Sequence, residues 1–232
     1  GLASLTDLEI NLGAGDPKPG PFSESSCQTI IFDLFDASAN EAFDQVALGL
    51  GPLIDAIIAT KGSDGAINIY PFIARLKAAN PGSVAAIDAL LAHHSITAND
   101  DFGTGETNSG GFAANLPVFQ VATVNGPAVA LTFKGGANSN SNNFQANRFV
   151  TFVGNGQAVT VKTVCAKPLS CFSYTKAVGT NGAQGDTDGN LTFGIIEGGF
   201  LQTINGRVYR LELQTSHGVA EEFPCTVTVT SP

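Results

Sequence analysis

Residues 148–178, RFVTFVGNGQAVTVKTVCAKPLSCFSYTKAV, hold three β-branched and aromatic runs, 148–153, 158–164 and 171–178, with Gly154, Gly156 and Pro168 between them. Runs of this length and composition, bounded by turn residues, read as strands. Five more flank them: 118–124 and 128–133 before, 191–196, 207–213 and 225–230 after. Eight strands is the count of a β-sandwich or barrel. Asn125-Gly126 and Asn205-Gly206 fall between such runs. There, residues tolerating positive φ make tight hairpin turns, so several neighbouring strands are expected to pair antiparallel. Residues 138–143, with serines interleaved among asparagines, form a polar loop outside any core.

Upstream the pattern turns helical. Ser38 and Glu41 form a capping box followed by Phe43, Val46, Ala47 and Leu50 at helical spacing. Gly49, Gly51 and Pro52 interrupt it, and Pro52 opens a second helix carrying Leu53, Ile54, Ile57 and Ile58. A third follows Pro71, with Phe72, Ile73, Leu76 and Ala79 on one side, and Ser83 caps a fourth whose stripe is Val84, Ile87, Leu90 and Leu91. Residues 97–111, rich in glycine and acids, end the helical region as a loop. Residues 1–26 carry Gly13, Gly15, Pro17, Pro19, Gly20 and Pro21 and read as an arm, with a short strand within 2–12. The expected fold class is α+β: an arm and lead-in strand at 1–37, a small helical cluster at 38–111, and an antiparallel sandwich-like or barrel-like part at 112–232. A chain of 232 residues accommodates this as one large domain or two small ones.

Hydrophobic residues make up 43% of the chain and charged residues 13%, so the surface relies on Ser, Thr, Asn, Gln and Gly, as extracellular proteins often do. The absence of Met points the same way. A net charge of −9 with only 11 scattered basic residues argues against nucleic-acid binding. No apolar run reaches the ~20 residues that span a bilayer. Gly1 in place of an initial Met is expected of a mature form whose signal peptide has been removed, and equally of a chain cut for expression.

Four cysteines suggest two disulfides. Cys165 and Cys171 bracket a five-residue segment containing Pro168, the natural closure of a turn, which leaves Cys27 to Cys225. Four cysteines permit three pairings, and zinc is the alternative, although neither C-x-x-C nor a paired-His spacing accompanies them.

Asp186, Asp188, Asn190 and Glu197 stand at positions 1, 3, 5 and 12 of a twelve-residue window, where oxygen ligands can converge on calcium. Position 6 is Leu191 in place of glycine and the flanks read as strands, so an EF-hand is not expected; the Asp-x-Asp-x-Asn core remains, beside the reading of a plain polar turn. Asn190-Leu191-Thr192 is also an N-glycosylation acceptor, and a glycan on Asn190 excludes its use as a ligand. Residues 63–69, SDGAINI, resemble the middle of a dockerin or EF-hand loop, which implies calcium. Aligned on Gly65, however, the ligand positions fall on Thr60, Gly62 and Pro71, and a turn at Asp64-Gly65 explains the segment equally. Residues 90–96 resemble the proximal-histidine stretch of secreted plant and fungal peroxidases, which implies haem; residues 32–38 supply no distal histidine.

His93 and His94 precede Asp100, Asp101 and Glu106, so a metal or acid–base site can be drawn from these five. The structural alternative is that adjacent histidines on a helix point about 100° apart and suit a helix C-terminus. No G-x-S-x-G elbow, Walker loop or dinucleotide fingerprint is present, and His217 sits beside Gly218 in an expected loop. Without Trp, the usual sugar-stacking residue is missing.

Three functions follow as expectations. The first is a secreted or cell-surface, non-catalytic binding or structural module, self-associating, adhesive or glycan-binding. The second is a secreted hydrolase or lyase using the acids of 100–106 in a cleft. The third is a calcium-stabilised adhesin or carbohydrate-binding protein, with calcium the one cofactor considered.

Overall fold

The computed structural model describes residues 18–36, 43–63, 68–98, 100–134, 146–167, 169–173, 178–179, 183–184, 191–197, 200–215 and 221–232. The chain divides into two units, Gly1–Leu116 and Pro117–Pro232. The first is helical and the second is built of strands, an α+β arrangement.

The helical unit contains α1 (Glu24–Phe35), α2 (Leu50–Ala59), α3 (Ile69–Ala79) and α4 (Val84–His93). Ser23 caps α1 by accepting from the Ser26 amide, and Asn68 caps α3 by accepting from the Tyr70 amide. Pro52 lies in the first turn of α2 and Pro71 in the first turn of α3, where the missing N–H is not needed. Ile30 and Leu34 of α1, Leu53 and Ala56 of α2, Tyr70, Ile73 and Leu76 of α3, and Ile87, Leu90 and Leu91 of α4 are buried.

Two expectations for this unit are corrected. Helix α1 occupies a segment read as arm and lead-in. Its buried face is Ser26, Thr29, Ile30, Asp33 and Leu34, polar at three of five positions, so the apolar periodicity that announces a helix is faint. Conversely, the helix expected from Ser38 through Leu50 does not form over 44–49, which is neither helix nor strand. That segment serves α1 instead: the Leu48 and Gly49 amides donate to the carbonyls of Leu34 and Phe35, both at 3.0 Å, satisfying acceptors that a helix end leaves open.

The second unit contains β1 (Phe119–Val121), β2 (Val129–Lys134), β3 (Asn147–Val153), β4 (Thr160–Cys165), β5 (Leu169–Ser173), β6 (Val178–Gly179), β7 (Ala183–Gln184), β8 (Leu191–Glu197), β9 (Phe200–Leu201), β10 (Val208–Thr215) and β11 (Glu222–Thr230). One sheet runs β1-β3-β10-β5-β7; the other runs β2-β11-β4-β8-β6, with β9 also on β8. Among the described strands, neither sheet closes into a barrel. Only β1 with β3 is parallel; every other described pair is antiparallel. In β11, Phe223, Cys225, Val227 and Val229 are buried while the residues between them face outward. They join Val150, Phe152, Tyr209, Leu211 and Leu213 of the other sheet in one core, which makes the unit a sandwich.

All eight sequence runs contain a strand, but their pairing differs from what the Asn-Gly dipeptides suggest. Asn125 does turn at φ 60°, and the Gly126 amide donates to Thr123 O at 2.9 Å, yet this turn carries the chain from β1 in one sheet to β2 in the other. Asn205-Gly206 likewise joins β9 to β10 across the sandwich. Among the described strands, β8 and β9 are the one sequential pair that forms a hairpin.

The disulfide is Cys165–Cys225, which corrects the expected Cys165–Cys171 and Cys27–Cys225 bonds. Register decides it. Cys165 on β4 and Cys225 on β11 stand directly opposite on the buried face, with Cα atoms 4.3 Å apart. Cys171 is close in sequence but belongs to β5 of the other sheet. Its side chain lies outside the described residues. The Cys27 thiol points to Pro21 O at 3.8 Å.

Candidate functional site

The five residues proposed for acid–base or metal chemistry all lie in the helical unit, and each has a structural partner. Glu106 is the most heavily used. Its Oε2 accepts from the amides of Thr97 (3.0 Å) and Ala98 (3.3 Å) and from the Tyr70 hydroxyl (3.2 Å). Its Oε1 accepts from the Thr97 hydroxyl (2.8 Å) and the amides of Thr107 (2.8 Å) and Asn108 (2.9 Å). Burial alone would raise this carboxyl, but the donors led by the Asn108 and Thr97 amides outweigh it and hold the group below the ordinary range. For Tyr70 the effects add: burial first, then the Glu106 charge, push its phenol far upward.

Asp101 accepts from Arg75 at both oxygens, 2.8 and 2.5 Å, and from the Ser63 hydroxyl at 2.6 Å, tying the loop to α3. Asp100 accepts from the Phe102 and Thr104 amides, both at 2.9 Å, an Asx turn. Desolvation works against its charge, but bonds from Thr104 and Phe102 win, and its carboxyl is lowered. Asn108 extends the network, donating to Pro19 O at 2.7 Å and Ser95 O at 3.0 Å.

The two histidines diverge. His94 is buried with Nε2 3.9 Å from Asp33 Oδ2 of α1. His93 stacks on Phe43 at 3.6 Å between centroids and meets His94 edge-on. Burial, then the neighbouring His94, lower the His93 pKa, with Asp33 opposing. Among the described residues, no group of three or more His, Cys, Asp or Glu side chains is arranged to hold a metal ion. The calcium candidates Asp186, Asp188 and Asn190 lie outside the described residues, as does the side chain of Glu197. The dockerin-like segment is described only at Ser63, which bonds Asp101, and at residues 68–69, where Asn68 caps α3.

What the sequence reading passed over is the surface of α2. Of its ten residues only Leu53 and Ala56 are buried, while Leu50, Ile54, Ile57 and Ile58 are 61%, 44%, 47% and 53% exposed. Ile31 and Phe35 of α1 are exposed as well, and the Leu48 and Gly49 bonds place the start of α2 against the end of α1. The signal was present in LGPLIDAIIA: five large aliphatic residues cover more of a helix than one core-facing stripe needs.

Fold and site together define a chain of one helical unit and one disulfide-bonded β-sandwich, with an exposed apolar helix as its most unusual surface. No family model and no curated protein matches this sequence. Among solved structures, the pre-peptidase C-terminal domain of a Bacillus anthracis collagenase is similar at 10% identity and a TM-score of 0.31, over 48% of this chain and 93% of that one. PliG of Salmonella Typhimurium, a periplasmic inhibitor of g-type lysozyme, is similar at 9% identity and a TM-score of 0.27, over 47% of this chain and 98% of that one. Among the described residues no helix is long and apolar enough to cross a membrane.

Proposed function

We propose that the chain is a secreted or cell-surface, non-catalytic binding module that acts by association through exposed apolar surface. The observation that carries this reading is α2, a ten-residue helix that presents four large aliphatic side chains outward. A helix apolar nearly all round is stable in water only when a second body covers it, and contiguous exposed apolar surface marks interaction sites. The disulfide and the sparsely charged surface support an oxidising, extracellular setting. The carboxylates that motivate a hydrolase are engaged by internal donors, Asp101 by Arg75 and Ser63 and Glu106 by five residues around it.

The test compares the full chain with an Ile57→Glu/Ile58→Glu variant for retention on an octyl matrix and on insoluble cellulose and chitin. Retention that the variant loses supports the proposal. Equal retention by both proteins, or none by either, overturns it.

A further inference from the structure

We propose that one end of the β-sandwich is a binding site for a neutral oligosaccharide, separate from the α2 surface. Three connections meet there: the turn between β1 and β2, the loop between β3 and β4, and the loop between β9 and β10. Asn125 comes from the first, Asn155 and Gln157 from the second, and Thr203 from the third. Ser231, just beyond β11, joins the first two: its amide donates to Asn125 Oδ1 at 2.9 Å, and its hydroxyl accepts from the Asn125 and Asn155 amides at 3.1 and 2.9 Å. The Thr203 hydroxyl donates to Gln157 O at 3.0 Å and brings in the third. Loops gathered at the end of a rigid sandwich are where such folds place their binding residues.

These bonds use some arms of the amides and leave others open. Gln157 Oε1 accepts from the Ser231 hydroxyl at 3.2 Å and from the Asn155 amide at 3.3 Å, so both of its lone pairs are engaged. Two donors facing Oε1 fix the orientation of this exposed side chain. Nε2 is turned away from them, and its two N–H groups meet no acceptor among the described residues. The exposed Asn205 amide is likewise unengaged among the described residues, and it stands against the same loop: a Cβ on Gly156 would lie 3.5 Å from its own Cβ. One N–H of Asn125 is also left over once the other reaches Ser231.

Three features select an uncharged polyol. Carboxamides offer donors and acceptors together, which matches hydroxyl groups that both give and accept hydrogen bonds. Charge is excluded: residues 117–128, 153–160, 199–206 and 227–232 contain no Asp, Glu, Lys, Arg or His, in a chain of net charge −9. An anionic ligand would call for Arg or Lys here and a metal ion for carboxylates. Finally, Ile204 stands between Thr203 and Asn205 and is 44% exposed, an apolar contact for the C–H face of a sugar ring. Asn125, Asn155 and Gln157 are already held by their internal bonds, which reduces the ordering that binding requires. The site is open to water, so weak binding with a Kd of about 1 mM is expected.

The test follows the side-chain amide NMR signals of the full chain during titration with cellopentaose, maltopentaose and mannopentaose, each to about 10 mM. The expected result is that at least one pentaose shifts the signals of Gln157, Asn205 and Asn125, while trigalacturonate and glycerol do not. Gln157→Glu keeps an oxygen for Ser231 and Asn155 but replaces the open N–H groups with an acceptor, and should weaken binding at least about tenfold with Tm unchanged. Asn205→Ala, which breaks no internal bond, should weaken it about threefold. No shift with any pentaose overturns the proposal, as do shifts confined to other residues. Equal shifts with glycerol or trigalacturonate, or binding that ignores both substitutions, overturn it as well. Retention on an octyl matrix reads α2 and the pentaose shifts read this cluster, so either reading can fail while the other stands. Pentaose binding lost in Ile57→Glu/Ile58→Glu would move the sugar to α2 and sink the present proposal alone.

Discussion

The helical unit and the β unit are held together in opposite ways. In the β unit, most described pairings join strands distant in sequence, the core is a continuous apolar layer, and one cross-strand disulfide fastens two neighbours inside it. In the helical unit, helices of ten to twelve residues leave an apolar face uncovered, and the loop after α4 is fastened by one buried carboxylate. The contrast separates two ways of specifying a structure: by distributed burial, which tolerates local change, and by a polar hub, where one side chain satisfies many donors. The units should therefore fail independently and for different reasons.

The largest effect is expected at the hub. Glu106→Ala leaves the amides of Thr97, Ala98, Thr107 and Asn108 and the Tyr70 hydroxyl without their acceptor. Loss of a buried, multiply bonded charge should destabilise the helical unit by about 3–5 kcal/mol. Hydrogen exchange resolved to the two units is the measurement: protection should collapse over the helices and stay unchanged in β10 and β11. Equal loss in both units would break the comparison, because it would make them one cooperative structure.

Removing the Cys165–Cys225 bond should give the mirror image at a somewhat smaller magnitude. The bond closes a loop spanning 60 residues, and paired Cys→Ser substitution should cost the β unit about 2–4 kcal/mol. The helical unit should keep its protection. A denaturant midpoint for the β unit that does not move on substitution would show that the apolar core alone specifies the pairing of β4 with β11.

Legibility in the sequence follows the same division. Strand composition and helix punctuation are local, so all eight strand runs and α2, α3 and α4 can be read off the chain. Strand partners are not local: Asn125-Gly126 and Asn205-Gly206 are true turns, but a turn says nothing about which sheet the chain enters next. For the same reason the Cys165–Cys225 bond, set by the register of β4 on β11, is invisible to cysteine spacing. Helix α1 escapes because Ser26, Thr29 and Asp33 occupy its buried face. At the candidate site, composition identifies 97–111 as a loop with acids, yet its purpose depends on Tyr70, Arg75 and Ser63, which come from α3 and the turn before it.

A smaller effect should follow from Arg75→Ala, which removes the bidentate partner of Asp101. The Arg75 side chain is 34% exposed, so solvent screens the pair and about 0.5–1 kcal/mol is expected. Asp101 keeps the Ser63 hydroxyl. The ratio of this loss to that of Glu106→Ala sharpens the distinction between a surface tie and a hub. Comparable losses would mean that the loop is secured along its whole length.

The smallest effect is a pH dependence confined to the helical unit. The folded state lowers the pKa of His93 through burial and the adjacent His94, so the unfolded chain binds the proton first as pH falls. The stability contributed by neutral His93 is present above the ordinary histidine value near 6.5 and is lost as pH falls through that value toward the lower folded one. Mild acidification should therefore reduce protection in α4. Glu106, lowered in the folded state, adds its own loss only below the ordinary carboxylate range. His93→Gln should flatten the slope between neutral pH and about 5, while β-unit protection stays level throughout. A slope that survives the substitution would show that His93 is not the source of the pH dependence in the helical unit.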